Sequence, residues 1–120
     1  MAAHNDLGTK GESEAKAFLL HNEYEVWDTN WHCGNYEVDI IARKKDTLVF
    51  CEVKSRTSAY FGEPESFVSK QKQRNLIKAA AIYAERKQWQ GDIRFDIISV
   101  LFFKEQTTIN HIEDAFGCTW

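Results

Sequence analysis

Two strand-forming runs, Glu37-Val38-Asp39-Ile40-Ile41-Ala42 and Leu48-Val49-Phe50-Cys51-Glu52-Val53-Lys54, place acids and a lysine in the most apolar part of a 120-residue chain. Little more than Lys44-Lys45-Asp46 separates them, so they predict one antiparallel hairpin. Ile40, Ile41, Phe50 and Val53 supply apolar side chains to both faces, the pattern of a strand covered from two sides. A charge carried into a core costs several kcal/mol unless it is paired or coordinated. The hairpin therefore marks a candidate site as well as a fold.

Pairing centred on Lys45-Asp46 sets Asp39 opposite Glu52 and Glu37 opposite Lys54. Directly opposed residues of an antiparallel pair have Cβ atoms about 4.5–5.5 Å apart, and like charges there repel. A divalent cation between Asp39 and Glu52 would relieve that repulsion, and Mg²⁺ takes oxygen ligands of this kind while keeping several waters. Alternation puts Glu52 and Lys54 on one face, with Val49, Cys51 and Val53 on the other. A register slip of one residue would part the acids. The alternative is an ion-pair network of Glu37, Asp39, Glu52 and Lys54 on a solvated hairpin face.

Around the hairpin, Gly11 to Asn22 reads as a helix with Ala15, Phe18 and Leu19 on one apolar stripe. Glu12 shares that stripe, so it is either an inward carboxylate or an acid favoured by the first helical turn. Tyr24 to Trp31 alternates like a strand and ends at the turn-like Cys33-Gly34-Asn35. A long connection runs from Ser55 to Phe67. Ser69 is the expected N-cap of a second helix reaching about Gln88, with Leu76, Ala80, Tyr83 and Ala84 inward. Ile93 to Phe103 is a strong strand in which Arg94 and Asp96 are placed to pair, and Thr107 to Ile112 is a short final one. This order predicts one α/β domain over residues 1–120, a sandwich around a mixed sheet.

No apolar stretch approaches the roughly 20 residues of a membrane span, and Met1 to Asp6 does not resemble a secretion signal. A cytoplasmic protein is expected. Cys33, Cys51 and Cys118 lack metal-ligand spacing and are expected to be reduced thiols. His4, His21, His32 and His111 are scattered and expected at the surface. Trp27, Trp31, Trp89 and Trp120 read as packing residues, and Tyr60 and Phe61 as loop clamps or base-stacking groups.

Net charge is −3, which argues against a general nucleic-acid coat but not against a local basic patch. Between Lys54 and Lys78 the basic residues Lys54, Arg56, Lys70, Lys72, Arg74 and Lys78 face only Glu63 and Glu65. Lys70, Arg74 and Lys78 are spaced by four and form one helical ridge. Lys70 and Lys72 oppose the macrodipole at the helix start, where an anion such as phosphate would offset them.

Glu37-Val38-Asp39-Ile40-Ile41 followed by Phe50-Cys51-Glu52-Val53-Lys54-Ser55-Arg56 resembles the YraN family of small bacterial proteins. That family is similar to the Holliday-junction resolvases of the PD-(D/E)XK nuclease superfamily. The likeness runs nearly end to end, through Gly8, Gly11, Glu12 and Ala15, then Gly62, Pro64, Lys72, Arg94-Phe95-Asp96 and Ala115-Phe116. Tyr36 stands where the family usually has glycine. The resemblance implies a restriction-endonuclease-like three-layer sandwich, Asp39 and Glu52 as ligands of Mg²⁺ or Mn²⁺, Lys54 as a catalytic lysine and Glu12 as a further acid. Glu37 would support the site or pair with Lys54. The implied function is metal-dependent cleavage of branched or structured DNA, with Arg56, Lys70, Lys72, Arg74 and Lys78 on the nucleic acid and a homodimer by analogy. The alternative is a non-catalytic nucleic-acid-binding or scaffold protein that keeps the fold.

Overall fold

Alternating apolar residues build a five-stranded sheet, and two amphipathic segments cover its faces. The computed structural model describes residues 6–57 and 68–117. In chain order it comprises α1 (Asp6–His21), β1 (Glu25–Cys33), β2 (Tyr36–Lys44), β3 (Thr47–Arg56), α2 (Lys70–Lys87), β4 (Asp92–Phe103) and β5 (Gln106–Phe116). Strand order in space equals chain order, with β3 central. β1, β2 and β3 are antiparallel, β3 and β4 are parallel across the α2 crossover, and β5 returns antiparallel. This is the restriction-endonuclease-like three-layer arrangement expected from the sequence.

The layers follow from side-chain periodicity. Ala15 and Leu19 of α1 pack on Ile40, Ala42, Val49, Cys51, Ile98 and Val100. Leu76, Ala79, Ala80 and Tyr83 of α2 pack on Val38, Ile41, Leu48, Phe50 and Phe95. Leu48 to Glu52 are all buried, as a strand covered on both faces must be. Ser69 caps α2, its hydroxyl accepting the Lys72 amide at 3.0 Å. Gln88 closes the helix in the left-handed region at φ 55°. The β2–β3 hairpin turns in two residues, Lys45 and Asp46, with Lys45 at φ 56°.

Some boundaries differ from those read in the sequence. α1 begins at Asp6, and β5 reaches Phe116, its Ala115-Phe116 end lying past a bulge in the β4–β5 pairing. Ser55 and Arg56 belong to β3, because the parallel ladder with β4 runs on to the Arg56–Leu101 pair. Ala79 takes the buried place assigned to Ala84, which is only half-buried. Trp27 and Trp31 pack edge-on against Trp89 and Tyr83. His111 is not a surface residue: its side chain is 9% exposed and its Nε2 lies 2.6 Å from Asp96. Asp96 sits at the β4–β5 bulge, between Phe95 and Ile97, and collects Arg94, His111 and the Asp114 amide there. Tyr60, Phe61, Gly62, Glu63, Pro64 and Glu65, with His4, Cys118 and Trp120, lie outside the described residues. No helix among the described residues is long and apolar enough to cross a membrane.

Candidate functional site

The expected hairpin register holds from Lys44–Thr47 through Ile40–Cys51, and there the ladder ends. Asp39 is the next residue. Its Oδ2 accepts the Val53 backbone N–H at 2.8 Å, so a side chain stands where a main-chain carbonyl would continue the sheet. The strand also changes face at this point, since Val38 packs toward α2 while Ile40 packs toward α1. Asp39 thus lies at the fork where β2 leaves β3.

Glu52 follows Leu48 and Phe50 on the α2 face of β3. Its side chain is 8% exposed. Lys54 Nζ lies 3.5 Å from Glu52 Oε2, and Lys72 Nζ reaches 3.9 Å from Oε1. Oε1 is buried and accepts no hydrogen bond among the described residues. Lys72 stands one turn before Leu76 on the inward stripe of α2, which explains why it meets Glu52 rather than joining the exposed ridge. Lys70, Arg74 and Lys78 do form that ridge. Arg56 is half-buried at the end of β3.

Glu12 approaches from the other face. Gly11 lets α1 come close, because a Cβ there would lie 1.6 Å from Ser55 Oγ. The next residue, Glu12, is half-buried, lies near the Asn30 side chain and feels the charge of Asp39. Glu37 goes elsewhere than expected. With the β2–β3 ladder ended, it pairs in register with His32 of β1, Oε2 to Nε2 3.7 Å, while Lys54 pairs with Glu52. Its charge still reaches Asp39 and Glu12.

Burial and mutual repulsion hold these acids toward their neutral forms. Burial first, then the Asp39 charge, pushes Glu52 up to about 7, against the pull of Lys72 and Lys54. Burial raises Asp39 as well, opposed by the Val53 N–H and Lys72. Burial and Asp39 raise Glu12, opposed by Asn30. Neighbouring carboxylates raised together are stabilised by a cation. The donor set suits Mg²⁺ or Mn²⁺ in the sparse mode of one or two carboxylates completed by water and substrate oxygens. Among the described residues, no group of three or more His, Cys, Asp or Glu side chains forms a ready cage. Oε1 of Glu52, which accepts no hydrogen bond among the described residues, is the atom such an ion would satisfy.

Lys72, expected on the nucleic acid, also stands beside Glu52, and its spacing from Leu76 signals that inward position. Asn30 was read only as part of a strand, and nothing in its spacing announced its contact with Glu12.

Comparison with known proteins places this architecture in a family. A family model described as "Uncharacterised protein family UPF0102" matches residues 11–100. A UPF0102 protein of Christiangramia forsetii is 43% identical over 116 residues, covering 97% of this chain and 98% of the relative. One from Flavobacterium psychrophilum is 44% identical with the same coverage, and one from Geobacter metallireducens is 42% identical over 118 residues, covering 97% of each. The chain belongs to the UPF0102 family, which is the YraN family its sequence resembles.

Proposed function

We propose that this protein is a metal-dependent, nuclease-like nucleic-acid-binding protein that hydrolyses phosphodiester bonds in DNA, with branched or structured DNA as its substrate. The observation that carries this reading is Glu52: a nearly buried carboxylate, one oxygen of which accepts no hydrogen bond among the described residues, flanked by two lysines and repelled by Asp39. Buried carboxylate oxygens normally have a hydrogen-bond partner.

Asp39 and Glu52 would hold the ion. When bound, Mg²⁺ or Mn²⁺ polarises a phosphoryl oxygen and lowers the pKa of a coordinated water. Lys54, on the more open side of Glu52, orients the attacking water or offsets the charge growing on phosphate. Lys72 supplies a second positive charge from α2. Glu12 lines the opposite wall, and Glu37 adds negative potential at Asp39. Arg56 and the ridge of Lys70, Arg74 and Lys78 offer phosphate contacts along the approach. A cytoplasmic location and a homodimer on a two-fold symmetric junction belong to the same reading.

A second reading, nucleic-acid binding without cleavage, is favoured by the lack of a third close ligand among the described residues. The test is a panel of single-stranded, duplex, flap and four-way-junction DNA with each metal, comparing wild type, Asp39→Ala and Lys54→Ala. Cleavage by wild type alone supports hydrolysis. Salt-sensitive binding by all three proteins with no cleavage by any supports the second reading instead.

A further inference from the structure

β1 carries a conformational anomaly opposite the fork. The pairs Thr29–Ile40 and Trp31–Val38 set Asn30 directly across from Asp39. Asn30 adopts φ 51° inside a strand. The left-handed region is costly for most L-residues and mildest for asparagine, aspartate and glycine. It falls at the level where β2 changes face between Val38 and Ile40. Strained backbone of this kind persists where surrounding structure imposes it, commonly at working sites.

The Asn30 side chain also has a partner. It lies beside the Glu12 carboxyl and favours its charged form against burial and the Asp39 charge. Together with Thr9, Ser13, Lys16 and Thr29, these two residues line a polar cleft of about 210 Å³ on the α1 side of the sheet. One residue therefore stands beside two of the three acids, level with Asp39 by register and next to Glu12 across the cleft.

We infer that Asn30 is a positioning residue of the acid site: its left-handed backbone sets the kink that presents Asp39 at the fork, and its side-chain amide holds Glu12 toward the same point. This rests on the proposed role of the acids as cation ligands. The two contributions are separable by chemistry. Asn30→Gly keeps the left-handed backbone without cost and removes the amide. Asn30→Ala removes the amide and strains the backbone. Asn30→Asp keeps the conformation but replaces the amide donor with a like charge facing Glu12.

The experiment measures thermal midpoints in EDTA and Mn²⁺ affinity by calorimetry for wild type, Asn30→Gly, Asn30→Ala, Asn30→Asp, Glu12→Gln and the Asn30→Gly/Glu12→Gln double variant. Asn30→Gly should keep a near-wild-type midpoint yet bind Mn²⁺ roughly three- to ten-fold more weakly, and that loss should vanish in the Glu12→Gln background. Asn30→Ala should lose both midpoint and affinity, and Asn30→Asp should bind Mn²⁺ differently from Asn30→Gly. Wild-type Mn²⁺ affinity in Asn30→Gly, or a loss that persists undiminished without Glu12, would overturn the inference. Asp39→Ala serves as the control for the site reading. Should it bind Mn²⁺ like wild type, the cation site itself fails, and the metal-free midpoints decide the Asn30–Glu12 contact: shifts that fail to add support it, and simple additivity overturns it.

Discussion

The Asp39 carboxylate accepts the Val53 backbone N–H at 2.8 Å, one residue beyond the last β2–β3 ladder pair. One side chain thereby ends the strand pairing and becomes the centre of the acid cluster. Asp39→Asn retains an acceptor for Val53 and should change stability little. Asp39→Ala leaves a part-buried N–H without its partner and should cost about 1–3 kcal/mol. Both should lose Mn²⁺ binding. Urea unfolding and Mn²⁺ titration of the two variants separate the structural role from the ligand role.

Burial and the Asp39 charge push Glu52 up to about 7 from an ordinary 4.5. Between those values the folded protein keeps a proton that the unfolded chain has released, so stability falls as pH rises through the window. Asp39 and Glu12 are raised too and add to the trend. In EDTA the thermal midpoint should decline from about pH 5 to about pH 8, and Glu52→Gln should flatten the decline. Mn²⁺ should bind more tightly as pH rises through about 7, because the deprotonated acids are its ligands.

Asp96 is fully buried and receives Arg94, His111 and the Asp114 amide, contacts that hold its carboxyl below the ordinary value. Removing Asp96 takes the main acceptor from nearly buried His111 and from Arg94, which keeps only Tyr24 and exposed Glu113 among the described residues. Asp96→Ala should cost about 3–5 kcal/mol in chemical denaturation. Folded Asp96→Ala should still bind Mn²⁺, since none of the three acids of the site is touched.

The exposed ridge and the inward lysine should separate experimentally. Lys70→Gln, Arg74→Gln and Lys78→Gln combined should weaken DNA binding and reduce the salt slope, by up to about 0.9 per lost duplex phosphate contact, with Mn²⁺ affinity unchanged. Lys72→Met removes a charge beside Glu52 and should alter Mn²⁺ affinity as well. Fluorescence anisotropy across a salt series, paired with calorimetry, measures both.

Gly11 and Gly8 make a matched pair on α1. A methyl at Gly11 would collide with Ser55, whereas one at Gly8 meets nothing within 4 Å. Gly11→Ala should destabilise by about 1–3 kcal/mol as α1 is forced off β3. Gly8→Ala should be neutral or mildly stabilising through helix propensity. Thermal midpoints of the two variants provide the comparison.

The residues alone determined much of the architecture. Near-continuous apolar runs marked β2, β3 and β4, Ser69 marked the start of α2, and the two-residue turn at Lys45-Asp46 set a register that runs to Ile40–Cys51 and leaves Asp39 within reach of the Glu52 charge. Those features are local, and short-range sterics and hydrogen bonding suffice to specify them. Three decisions needed the packed molecule. The side-chain capture of Val53 by Asp39 opened the sheet and sent Glu37 to His32 instead of Lys54. The approach of α2 turned Lys72 into a neighbour of Glu52, and the close seat of α1 brought Glu12 to Asn30. Periodicity reports which face a residue occupies. Bulges, strand forks and contacts between distant segments depend on how whole elements pack, and no spacing along the chain encodes them.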